Sequence, residues 1–81
     1  MNRVDVKSST IKTIGYDSSI LTMEVEFKNG CVYQYTDVPT GLADSLMGSE
    51  SKGRFFHKEI RNNYKSTKIY DPKNEKKEED V

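Results

Sequence analysis

The chain has 81 residues, 33% of them hydrophobic and 32% charged, with thirteen Lys or Arg balanced by thirteen Asp or Glu. That length supports one small domain, which buries only about 60% of its unfolded surface, and the zero net charge counts against strong nonspecific nucleic-acid binding. No apolar run reaches the roughly 18 residues of a membrane span or resembles a secretory leader, and a single cysteine, Cys31, excludes an internal disulfide framework, so a soluble cytoplasmic protein with no membrane contact is expected.

Residues 1–8 are polar apart from Val4 and Val6 and read as a flexible N-terminal arm. Residues 11–16 are rich in β-formers and read as a first strand, ended by the turn signal Asp17-Ser18-Ser19. Residues 20–27 give the clearest pattern. Leu21, Met23, Val25 and Phe27 alternate with Thr22, Glu24 and Glu26, the period of a strand with one wet face. Asn29-Gly30 marks a hairpin, and residues 31–36 form its return strand.

Loop length sets the register of this hairpin. A two-residue loop would place Tyr33 and Tyr35 beside Glu26 and Glu24. A three-residue loop, Lys28-Asn29-Gly30, pairs Phe27 with Cys31 and gathers Leu21, Met23, Val25, Phe27, Cys31, Tyr33 and Tyr35 on one face. A one-residue slip turns a whole strand over, so the coherent apolar face selects the three-residue loop, with Gly30 in the left-handed position.

Asp37-Val38-Pro39 closes the strand. Residues 40–47 predict a short helix, with Leu42 and Leu46 four apart and Gly48 to end it. A second helix is predicted over residues 51–64, with Ser51 as N-cap. On it Phe56, Ile60 and Tyr64 form an apolar stripe, and Arg54, His57, Lys58, Arg61 and Lys65 a basic one. Between Lys52 and Tyr70 six Lys or Arg meet only Glu59, a local +5 that the whole-chain balance conceals. Residues 66–70 suit a short extended piece against the sheet. Residues 71–81 are a Lys/Glu/Asp run with little to bury, expected to be disordered.

The ordered set Ser9-Thr10-Ile11, Gly15-Tyr16, Tyr33-Gln34-Tyr35, Val38-Pro39, Ser51-Lys52-Gly53-Arg54-Phe55-Phe56, Ile60-Arg61 and Tyr64 resembles the KTSC domain. The similarity spans about residues 9–69. That family takes its name from the C-terminus of some lysyl-tRNA synthetases and includes stand-alone small proteins of bacteria and phages. The resemblance implies no established activity. It implies RNA binding only by association with a tRNA-charging enzyme. Glu50 departs from the small residue or proline that many members carry before Ser-Lys-Gly, and nothing in the chain supports aminoacylation.

The domain expected over residues 9–70 is therefore α+β: a three-stranded antiparallel meander, with room for a short fourth C-terminal strand, under two helices on one face. Its core is expected from Ile14, Leu21, Met23, Val25, Phe27, Tyr33, Tyr35, Leu42, Leu46, Phe56 and Ile60. A phosphate- or nucleic-acid-binding surface is expected from Ser51, Lys52, Gly53, Arg54, Lys58, Arg61 and Lys65, set against the plainer alternative of a solvated helix face and an ordinary cap. Tyr33 and Tyr35 are stacking candidates, although the chosen register turns both toward the core. One cysteine and one histidine are too few for a metal site, and no nucleophile, base and orienter trio stands out, so no cofactor and no enzyme activity are expected. The expected partner is RNA or another nucleic acid. The alternative is a protein-interaction adaptor of phage or mobile-element origin, docking through an exposed Phe55 or Tyr16. A monomer is expected.

Overall fold

The period-two segments of the sequence form one antiparallel sheet. The computed structural model describes residues 3–72. In chain order the elements are β1 (Arg3–Asp5), β2 (Ile11–Asp17), β3 (Thr22–Phe27), β4 (Val32–Tyr35), α1 (Thr40–Met47), α2 (Lys52–Glu59) and β5 (Ser66–Tyr70). The strand order is β1-β2-β3-β4-β5, a five-stranded meander into which the two helices are inserted before the last strand. The α+β class and the C-terminal strand are as expected.

The β3–β4 hairpin takes the three-residue loop. Val25 pairs with Tyr33 and Met23 with Tyr35. Phe27 N–H donates to the Cys31 carbonyl at 2.9 Å, and Gly30 N–H donates to the Phe27 carbonyl at 2.9 Å. Gly30 has φ +96°, a left-handed backbone that glycine adopts without strain. The Asn29 side-chain oxygen accepts from Cys31 N–H at 3.0 Å and fixes the tip of the turn.

One sheet face and both helices enclose the core. Ile11, Ile14, Met23, Val25, Tyr35, Val38, Ala43, Leu46, Phe56 and Ile60 are buried there, with Phe27, Tyr33, Leu42 and Tyr64 packed at its margin. On α2 the Phe56 ring is fully buried. It meets Tyr35 edge-on at 5.2 Å and Phe27 at 5.6 Å between ring centroids. The other sheet face carries Glu24 and Glu26, with the Arg3 guanidinium 3.9 Å from each and the Thr13 hydroxyl donating to Glu26 at 3.1 Å.

Three expectations are corrected. Residues 3–8 are not a loose arm. Arg3–Asp5 pairs with residues 13–15 through the backbone ladder, Val6 N–H donates to the Lys12 carbonyl at 3.1 Å, and Val6 packs against the core. Leu21 is not in the core: it is 39% exposed at φ +51°, because the β2–β3 turn carries it past the sheet and uses its carbonyl to accept from Val38 N–H. The second helix stops at Glu59 rather than reaching Tyr64. Ile60 and Arg61 N–H both donate to the Phe56 carbonyl, and the Asn63 side-chain amide donates to the Glu59 carbonyl at 2.8 Å, closing the helix end. Ser51 occupies the N-cap position but makes no side-chain capping bond.

The tail expected over residues 71–81 lies outside the described residues after its first two. Asp71 accepts from Lys68 Nζ at 3.1 Å. Pro72 lies over Gly30, where an added Cβ would come within 2.9 Å of its ring. Among the described residues no helix is long and apolar enough to cross a membrane.

Gly30→Ala forces an L-residue into the left-handed position and against Pro72. The expected loss is about 1–2 kcal/mol of stability, read as a lower urea midpoint at unchanged slope.

Candidate functional site

The cations of the Lys52-to-Lys65 segment do not form one helical stripe. Arg54, His57 and Lys58 are exposed on α2. Lys52 is half-buried and folds back, its Nζ donating to the Ser49 carbonyl at 3.0 Å. Arg61 lies past the helix end, with Nη1 3.2 Å from Nδ1 of His57. A guanidinium only donates, so this contact makes Nδ1 the acceptor. Lys65 belongs to the approach to β5, where its carbonyl accepts from Thr36 N–H at 3.1 Å. Among the described residues none of Lys52, Arg54, Lys58, Arg61 and Lys65 is in an ion pair with a carboxylate; Arg3 and Lys68 supply those pairs.

Arg54, His57 and Arg61 instead line a cleft that the sequence does not announce. Between α2 and the β3–β4 hairpin lies a trough of about 600 Å³. Phe27, Tyr33 and Tyr35 form its aromatic lining, His57, Arg61 and Asn62 one wall, and Lys28 and Asn29 the hairpin rim. A second recess of about 280 Å³ adjoins it, between residues 7–10 and residues 50–54, and shares Ser9, Thr10 and His57 with the trough. Across both, Lys7, Lys28, Lys52, Arg54 and Arg61 share the lining with one carboxylate among the described residues, Glu50. The Ser51-Lys52-Gly53-Arg54 turn thus lines the second recess, whereas Lys58 and Lys65 line neither.

Gly53 serves a close approach, and the group that approaches is the protein's own. A Cβ there would lie 3.0 Å from the Ser8 hydroxyl and 3.2 Å from the Thr10 hydroxyl. The Ser8 hydroxyl in turn accepts from Thr10 and Ile11 N–H, each at 3.2 Å, which folds the segment before β2 into a turn against the start of α2.

The two tyrosines part company. Tyr35 is 3% exposed and its ring is committed to Phe56, so it contributes to the trough but is no stacking platform. Burial raises its phenol above the ordinary pKa, with the charge of Arg61 acting in the opposite direction. Tyr33 is half-buried, meets Phe27 edge-on at 5.7 Å, and has Lys68 Nζ 5.6 Å from its ring centroid. The hydrogen bond to Asp71, then that to Tyr33, raises the pKa of Lys68.

The two side chains expected as anchors for a protein partner are half-buried. Phe55 and Tyr16 pack against the core, and the Tyr16 hydroxyl donates to the Val38 carbonyl. Cys31 is half-buried beside the hairpin turn. Among the described residues no three His, Cys, Asp or Glu side chains cluster so as to hold a metal ion.

Sequence reasoning missed Lys7, Ser8, Ser9, Thr10, Lys28, Asn29, Asn62 and the site role of Phe27. The hairpin register, which sends Phe27 and Tyr33 to the helix-covered face, was the one signal pointing to the trough.

Comparison with known proteins agrees with this architecture. The KTSC domain pattern matches residues 7–64. The chain is 39% identical over 57 residues to an uncharacterized protein of Stutzerimonas stutzeri, an alignment covering 70% of this chain and 80% of that one. It is also 39% identical over 59 residues to a lysine–tRNA ligase of Trichormus variabilis, covering 73% of this chain but 10% of the ligase. The crystal structure of a KTSC domain protein from Yersinia pestis superposes with a TM-score of 0.80 at 38% identity, over 85% of this chain and 97% of that one.

Gly53→Ala is expected to destabilise the domain by about 1 kcal/mol, since overpacking of about 1–3 kcal/mol exceeds a helix-propensity gain of at most about 1 kcal/mol. Combining it with Ser8→Ala, which removes the nearest atom, recovers part of that loss in a double-mutant cycle followed by thermal melting.

Proposed function

The chain belongs to the KTSC domain family, and for this member we propose a non-catalytic module that binds RNA by holding backbone phosphates along the cleft between α2, the β3–β4 hairpin and residues 7–10. The observation that carries the reading is the cleft's charge. Five Lys or Arg side chains and His57 line two adjoining recesses that, among the described residues, have one carboxylate, Glu50, in their lining. Arg54 and Arg61 suit bidentate contacts to phosphate oxygens, and Lys7, Lys28 and Lys52 suit point-charge contacts. A concentrated cationic cleft draws in a polyanion even when the molecule as a whole is neutral.

The similarity to part of lysine–tRNA ligases supports RNA as the polyanion. Binding rather than catalysis is favoured because the imidazole of the lining, His57, is paired with Arg61 rather than with a hydroxyl it could activate, and the other polar groups around the cleft apart from Glu50 are cations, hydroxyls and amides.

Fluorescence anisotropy with a labelled tRNA pool tests this. Affinity should fall with salt along a log–log slope of about −3, roughly 0.7 for each of four phosphates held. Arg54→Glu combined with Arg61→Glu should abolish binding, and because both side chains are exposed, the melting temperature should hardly change. Retained affinity in the folded double variant would remove the cleft as the site.

A further inference from the structure

A surface that only neutralises phosphates has no need of the trough. It is concave, its volume of about 600 Å³ lies in the range of small-molecule sites, and Phe27, Tyr33 and Tyr35 give an otherwise polar lining an aromatic portion. We infer that the trough seats one unpaired nucleobase, so that the module recognises single-stranded RNA in preference to duplex. The inference rests on the nucleic-acid reading above and specifies what the same cleft selects.

Three features of the trough fit a base. Tyr33 and Phe27 stand edge-to-face and offer apolar ring surface at its lining. His57 and Arg61, coupled at 3.2 Å, bring an imidazole and a planar guanidinium to the wall, and both groups stack on bases. Asn29 and Asn62 are also in the lining, and their amide groups are of the kind that pairs with a Watson–Crick edge. Asn29 already spends its oxygen on Cys31 N–H, which leaves its two N–H donors for a ligand.

The adjoining recess completes the unit. It shares Ser9, Thr10 and His57 with the trough and carries Lys7, Lys52 and Arg54, so a base in the first places its neighbouring phosphates in the second. A base inside a duplex presents only its edge in a groove and cannot enter such a recess without being extruded, at a cost of a few kcal/mol.

The test compares a fluorescein-labelled 12-nucleotide single-stranded RNA with the matching 12-base-pair duplex at equal salt. Phosphate attraction alone favours the duplex, whose charge density is higher. The expected result is the reverse, a single strand bound about tenfold more tightly. Tyr33→Leu should lower single-strand affinity about tenfold while leaving duplex affinity and the salt slope unchanged. Asn62→Ala, at an exposed turn, provides a second variant that does not disturb packing and should lower single-strand affinity about threefold. Equal or tighter duplex binding that remains steeply salt-dependent, or variants that weaken both ligands in parallel, would overturn the base seat and leave the phosphate-binding cleft standing. Absence of binding to either RNA would overturn both.

Discussion

The fully buried ring of Phe56 holds the helical layer to the sheet, and the cleft exists because of where it sits. It meets Tyr35 and Phe27 edge-on from the same side of the sheet. Burial of such a ring contributes about 1.5–3 kcal/mol, and each aromatic contact about 0.5–1.5 kcal/mol more. That is a large share of the margin of about 5–15 kcal/mol on which a small domain stands. Ile60, one turn later, is equally buried and fixes the helix in rotation. His57 and Arg61 each follow one of these anchors by a single position. The pair that docks α2 therefore also aims the pair that walls the trough.

Where local pattern and burial agree, the fold is readable from the residues. The β3–β4 register follows from strict alternation, since only one loop length puts Val25 and Tyr33 on a common face. Helix α1 follows from Leu42, Leu46 and Gly48. Strand β1 is not readable in this way, because Arg3, Val4 and Asp5 are all exposed and the ladder to β2 leaves no hydrophobic signature. The early end of α2 escapes periodicity because Ile60 and Tyr64 stay in or beside the core after the helical hydrogen bonds have closed on Phe56 and Asn63. Leu21 keeps the alternation of a core residue but sits in a turn with positive φ. The cleft was the least legible part. Its residues come from the segment before β2, the hairpin tip and the two ends of α2, which are neighbours only after the sheet has formed.

The neutrality of the chain results from a division of charge. Glu24 and Glu26 lie on the open sheet face beside Arg3. Asp17 is tied into the β2–β3 turn, where the hydroxyl and N–H of Ser19 hold its carboxyl below the ordinary carboxylate range. Asp71 is paired with Lys68. These acids lie outside the lining of the cleft, in which Glu50 is the single carboxylate among the described residues. Surface pairs of this kind add little stability. Their effect is on the distribution of potential, because the cations of the cleft keep their field while the molecule as a whole stays neutral.

Every strand of the sheet lies beside its neighbour in sequence, and this bears on the order of assembly. The pairings among the first four strands span short loops that close quickly and with little entropic penalty. Only the β4–β5 ladder must wait for the chain to return across the thirty residues between Tyr35 and Ser66, an excursion that contains both helices. The meander through Tyr35 is thus expected to zip first and the helical layer to arrive with the final strand. In a transition-state analysis, substitutions in the β3–β4 hairpin would slow folding, whereas those in β5 would mainly hasten unfolding.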